Sequence, residues 1–134
     1  MPNIMYHTNS SAVLAVASYM VSNSVPVAIS SLLAGILIDS DHAIDYALGG
    51  NSTRLGITNY ESYANQTKLR KIFHSWELVA LIFAFIIALH QYQLAFWITA
   101  SLLLHIISDQ IYYKRSNLYF FFVYRLKRNF NPDA

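Results

Sequence analysis

The 134-residue chain contains no cysteine. That excludes disulfides and thiolate metal ligands and leaves the redox compartment unmarked. Charge is also scarce: 12% of residues are charged, against roughly 25% in soluble domains. The scarcity is concentrated in two places. No Asp, Glu, Lys or Arg occurs from Met1 to Ile38, and none from Leu78 to Ser108. A soluble helix keeps a polar face toward water, so such stretches argue against a soluble bundle. Residues 2–10 also lack Lys and Arg, where a cleaved signal peptide would carry them ahead of its apolar core. The N-terminal run is therefore expected to remain in the mature protein.

What is present is apolar. Hydrophobic residues make up 55% of the chain, and the length suits one domain spanning 1–134. The apolar runs predict four helices, at about 8–22, 26–48, 72–89 and 94–112, with a tail over 113–134. Thr8, Asn9 or Ser10 is expected to cap the first helix. Ser22 to Val25 makes a turn and Pro26 opens the second helix, which is expected to stop at Gly49-Gly50. A polar loop at 49–71 and a short turn at His90-Gln91 complete the pattern. The expected fold is all-α: an integral membrane four-helix bundle with an interfacial C-terminal segment. The apolar runs are short. Ser11 to Val21 covers only about 16 Å against a hydrocarbon core of about 30 Å. Each helix must extend through polar residues at one end.

All nine Lys and Arg residues fall between Arg54 and Lys71 or between Lys114 and Arg128. Four spans put both groups and the N-terminus on one side, which the positive-inside rule makes cytoplasmic, as in an inner membrane. Four of the five histidines fall toward that same side. His7 precedes the first run, His42 follows the second in Asp39-Ser40-Asp41-His42, His74 opens the third, and His105 closes the fourth with Asp109 one turn on. His90 falls on the opposite side.

These residues suit a metal. Asp39 and His42 are i, i+3, and His105 and Asp109 are i, i+4, so each pair shares a helix face. Imidazole with carboxylate is a donor set for zinc, manganese or iron, with enough ligands for one or two ions. Each residue alone has a plainer reading, as an interfacial hydrogen-bonding group or a helix end. Asp109 closing a long uncharged run is harder to explain that way, since an ionised group there is costly. A proton path would also gather His and Asp, but Leu78 to Leu89 offers no polar residue along which one could run.

Four blocks together resemble the inner-membrane-associated metal-dependent hydrolases of bacteria and archaea. The matches are His7, Gly35-Ile36-Leu37-Ile38-Asp39-Ser40-Asp41-His42, Arg70-Lys71-Ile72-Phe73-His74-Ser75 and His105-Ile106-Ile107-Ser108-Asp109. Order and spacing agree over residues 7 to 109. Ile38 stands at the family's proline, Leu69 at a family histidine and Phe73 at a family threonine. That family is distantly similar to zinc-dependent phospholipase C, which implies phosphoester hydrolysis. The resemblance implies metal ligands at His7, Asp39, His42, His74, His105 and Asp109. Asp41 and Glu77 are the expected catalytic or assisting carboxylates, with Glu77, i, i+3 from His74, as general base. The substrate expected is a lipid or lipid-linked phosphate. The loss at Leu69 leaves a second expectation open, a non-catalytic membrane subunit retaining a structural metal.

The tail alternates aromatic and basic residues from Asn117 to Arg128. Tyr and basic side chains favour lipid headgroups, so the tail is expected to lie on the membrane or dock another membrane subunit. Nucleic acid is not expected, because membrane attachment already accounts for the mixture.

Overall fold

The computed structural model describes residues 4–41, 71–113 and 117–130. All regular structure among them is helical. Helix α1 spans Ile4–Ser22, α2 Val25–Leu37, α3 Trp76–Ala88 and α4 Tyr92–Tyr113. A 3-10 turn, Asn117–Phe120, and a short α5, Phe122–Lys127, follow. Helix α4 is central: it packs against α1, α2 and α3, while α1 and α2 pack against each other. The starts of α1 and α3 meet the ends of α2 and α4, so the helices alternate in direction.

Local chemistry sets most boundaries. Ser24 stands at the N-cap of α2, with Pro26 in its first turn, where the missing proline N–H has no partner to lose. Ser75 caps α3 by accepting from Leu78 N–H. Helix α3 ends in a Schellman arrangement. His90 N–H donates to Ile87 O at 2.8 Å, Gln91 N–H donates to Ile86 O at 3.2 Å, and His90 takes φ 59°. Glycine usually fills such a position.

Two boundaries differ from expectation. Helix α1 begins at Ile4, so Thr8, Asn9 and Ser10 lie inside it and do not cap it. Ser10 and Ser11 instead bond back to the His7 carbonyl at 2.9 and 2.8 Å, a local option open to serine within helices. Helix α2 stops at Leu37, and Ile38 and Asp39 form a turn before helical backbone resumes at Ser40. Asp39 N–H donates to Ile36 O, three residues back, at 3.2 Å. Periodicity does not register such a break, because the apolar run continues without interruption through Leu37 to Ile38. His42, the rest of the expected second helix and most of the polar loop lie outside the described residues.

Polar and small residues line the seams between helices. Ser11 and Ser18 of α1, Ser31 and Gly35 of α2 and Ser101 of α4 are all buried. The Ser31 hydroxyl reaches across to Trp97 O at 3.4 Å. Gly35 is the closest point of the seam. A Cβ there would meet the hydroxyls of both Ser11 and Ser101, so only glycine lets α1, α2 and α4 converge at this level. A smaller apolar core joins Ile38, Val79, Leu102, Ile106, Tyr119 and Phe120.

Large apolar side chains point outward instead. Val13, Met20, Ile29, Leu33, Leu81, Phe85, Phe96 and Ile111 are exposed, Met20 at 78% and Ile111 at 71%. Only α4, over Tyr92–Tyr112, is both long and apolar enough among the described residues to cross a membrane. Helices α2 and α3 are apolar but have 13 residues each, about 20 Å of helix. The all-α fold expected from the sequence is present; four full membrane spans are not shown.

The tail also departs from a purely interfacial segment. Tyr119 and Phe120 are buried in the core, while Phe121, Val123 and Leu126 stay exposed. The 3-10 turn splits the aromatic run between two directions, and the inward half packs beside α3 and α4.

Candidate metal centre

Four separate segments deliver side chains to one buried place. Helix α1 brings His7 one turn from its start. The break after α2 brings Asp39. The segment ahead of α3 brings Lys71 and His74. The last turns of α4 bring His105 and Asp109. On α4, Ser101, His105 and Asp109 recur every four residues and are all buried, so one face of the helix carries a polar stripe into the bundle.

The contacts interlock. His7 Nε2 lies 3.2 Å from Asp109 Oδ1. His74 Nε2 lies 3.4 Å from Asp109 Oδ2 and 3.6 Å from Asp39 Oδ1. His105 Nε2 lies 3.2 Å from Asp39 Oδ1. The rings of His7 and His105 stack with centroids 4.0 Å apart. Two sets of three ligand atoms fall within 4.8 Å of one another: His7, His105 and Asp109, and Asp39, His74 and His105. They share His105.

The backs of two rings are fixed. His105 Nδ1 lies 3.0 Å from Gly35 O. A carbonyl only accepts, so Nδ1 carries the proton and, in the neutral ring, Nε2 presents its lone pair inward. His74 Nδ1 lies 2.9 Å from Asp41 Oδ2. The same Asp41 oxygen accepts from Phe73 N–H at 3.0 Å and His74 N–H at 3.3 Å. Asp41 thus positions the His74 ring, with Nε2 facing Asp39 and Asp109. A carboxylate or carbonyl holding the far nitrogen is the usual support of a metal-binding histidine.

Burial pushes the His74 imidazole toward the neutral form. Hydrogen bonds to Asp39 and Asp41 and the Asp41 charge outweigh it, and hold the group above its ordinary value against the opposing charge of Lys71. Lys71 Nζ lies 3.8 Å from Asp109 Oδ2. These buried groups could hold a metal ion, and the donor set fits one.

The five ligands expected at His7, Asp39, His74, His105 and Asp109 are brought together. Asp41 is adjacent and supports His74. His42 lies outside the described residues. Glu77 has a different place. Its carboxylate oxygens accept from Phe122 N–H at 2.9 Å and Val123 N–H at 3.2 Å, capping the start of α5. Both oxygens are thus engaged in a contact absent from the sequence reading. It comes from the docking of the tail, which helical spacing from His74 could not reveal.

Three residues were missed as parts of the site. Gly35 anchors His105 through its carbonyl. Lys71 is buried beside Asp109 with φ 39°, a conformation costly for a residue with a side chain. Arg125 secures that turn: Nη1–H donates to Lys71 O at 2.7 Å and Nη2–H to His74 O at 3.1 Å. Its guanidinium lies over the rings of Tyr119 and Phe122. The sequence signal for Arg125 was its position among aromatics, which also suits a lipid-facing segment.

Fold and site together define an all-helical protein with a buried His/Asp group able to hold a metal. No family model, curated protein or solved structure matches the chain.

Proposed function

We propose that this protein is a membrane-embedded, metal-dependent hydrolase of phosphoesters, with His7, Asp39, His74, His105 and Asp109 holding one or two divalent ions, zinc foremost. The observation that carries the reading is the inward aim of two histidine Nε2 atoms, their far nitrogens held by Gly35 and Asp41. The resemblance to inner-membrane-associated hydrolases through the His7, Asp39, His74 and His105 blocks points the same way. A bound metal of this kind supplies Lewis acidity and an activated water. The protein's own groups orient the ligands, exclude solvent and, through Lys71, place a fixed positive charge beside Asp109.

The membrane part of the proposal rests on the inverted surface. Serine, glycine and histidine line the helix seams while Met20, Ile29, Phe85 and Ile111 face outward. Close small-residue seams are typical of helices packed in lipid, and an exposed apolar belt of this extent is a liability in water. The one-sided Lys and Arg distribution supports a cytoplasmic face for the site.

A second reading is favoured by one observation, the engagement of Glu77 by α5. Without a free carboxylate there, the chain is a membrane subunit with a structural metal. Elemental analysis of the detergent-purified protein, paired with turnover on lipid and soluble phosphoesters, separates the readings. Stoichiometric zinc with turnover supports the hydrolase. Zinc without turnover on any phosphoester supports the subunit. Absence of divalent metal after zinc loading rules out both.

A further inference from the structure

Beside the cluster lies a cavity of about 340 Å³, within the size range of small-molecule sites. It sits between the end of α2, α3 and the middle of α4. Val79 and Ile82 line it from α3, Ile98 and Leu102 from α4, and Ala34 and Ile38 from α2 and its break. Its lining is almost wholly carbon, so a polar ligand would lose its hydration there without replacement.

The cavity is continuous along the chain with the candidate metal centre. Ile38 and Ser40, both in its wall, flank Asp39. Phe73, also in its wall, precedes His74 and donates its N–H to Asp41. Leu102 is one turn before His105 on α4. The break after α2 therefore serves two environments: Asp39 and Asp41 enter the polar cluster, and Ile38 and Ser40 border the apolar space. The cavity also reaches the outer apolar surface, since Leu37 in its wall is 58% exposed.

We infer that this cavity holds one hydrocarbon chain of an acyl lipid whose phosphate lies at the His/Asp cluster. This rests on the hydrolase reading and narrows its substrate class to amphiphiles with an anionic phosphate and a long acyl chain. The occupant is a lipid chain and not a peptide segment. The walls offer carbon contact without backbone partners, which suits a chain that has no hydrogen bonds to satisfy. Lys71, buried beside Asp109, supplies positive charge for the phosphate end. Specificity for chain length follows from the cavity, because each methylene moved from water into carbon surroundings improves affinity by up to about fourfold.

The test uses the full-length, zinc-loaded protein in detergent with a monoacyl glycerol phosphate carrying a diazirine near the chain end. Light-induced labelling is expected on the segments holding Val79, Ile82, Ile98 and Leu102. Excess unlabelled long-chain monoacyl glycerol phosphate should suppress it at least tenfold. A neutral monoacylglycerol of equal length should compete several-fold less well. Ile82→Trp and, independently, Ala34→Leu fill the cavity and should remove most of the labelling while zinc content stays unchanged. Labelling spread over Val13, Ile29 and Phe96, unaffected by either variant, means ordinary surrounding lipid and overturns the inference. Equal competition by the neutral lipid overturns the phosphate assignment. The parent reading fails separately: labelling confined to the cavity in a protein that binds no zinc leaves a lipid site without a hydrolase.

Discussion

The two ends of α4 treat histidine in opposite ways. Near its start, His90 sits in an exposed left-handed turn, with Nδ1 3.1 Å from the Tyr92 hydroxyl. Near its end, His105 is buried, anchored by Gly35 and aimed at Asp39. The residue type is the same; His90 lies in the turn just before the helix and His105 within it. The difference lies in what packs against each end. At the His105 end, α1, the break after α2 and the segment ahead of α3 all arrive with polar groups. At the His90 end the chain merely reverses. A histidine becomes a metal ligand candidate when its far nitrogen is held and its near nitrogen faces carboxylates, conditions that only convergence supplies.

Breaking the comparison at its strong end should give the largest effect. His105→Ala and Asp109→Asn are expected to remove most of the bound zinc and all phosphoester turnover. His90→Ala should alter neither. Zinc stoichiometry and initial rates measured on all three variants decide this; equal behaviour of His90→Ala and His105→Ala would end the distinction.

Asp41→Asn sharpens it one step out. The amide cannot replace the charge that holds His74 Nδ1–H, so zinc affinity should fall about 10- to 100-fold, the usual cost of losing such a support. Competition with a chelator reads the change. An unchanged affinity would show that Asp41 does not set the His74 ring.

Gly35→Ala probes the helix seam behind His105. Its Cβ would press on Ser11 and Ser101, and overpacking of this kind costs about 1–3 kcal/mol. Thermal unfolding should register the loss, accompanied by weaker zinc binding because the carbonyl holding His105 moves with α2. A lower melting temperature with unaltered zinc affinity would separate the seam from the site.

The smallest effect is expected at Glu77→Gln. It weakens two hydrogen bonds that cap α5, each worth about 1 kcal/mol, without touching the cluster. Protection of the Phe122 and Val123 amides from hydrogen exchange should fall, and zinc content should stay constant. A drop of roughly 10²–10⁴ in turnover with intact tail protection would instead restore Glu77 as a general base.

Much of the site was legible as a pattern. The placement of His7, Asp39, His74, His105 and Asp109 relative to the apolar runs was enough to predict their convergence, because four helices of alternating direction can bring those ends to one level. The helix ends were less legible. The break at Ile38 comes three residues after Gly35, at the last residue of the apolar run, and it determines that Asp39 faces His105 while Asp41 faces His74. The contact of Glu77 with the tail is illegible in the sequence for a related reason. Helical spacing relates a residue to its own helix, whereas α5 approaches from 45 residues away.

The sequence by itself determined the helical class, the uncharged stretches, the five-residue His/Asp set and the grouping of basic residues. Those properties depend on composition and on periodicity along a helix, which are local. Tertiary structure alone decided that Gly35 holds His105, that Lys71 and Arg125 are buried beside the cluster and that an apolar cavity adjoins it. Each of these depends on contacts between segments remote in the chain, where the packing of one helix sets the chemistry of another.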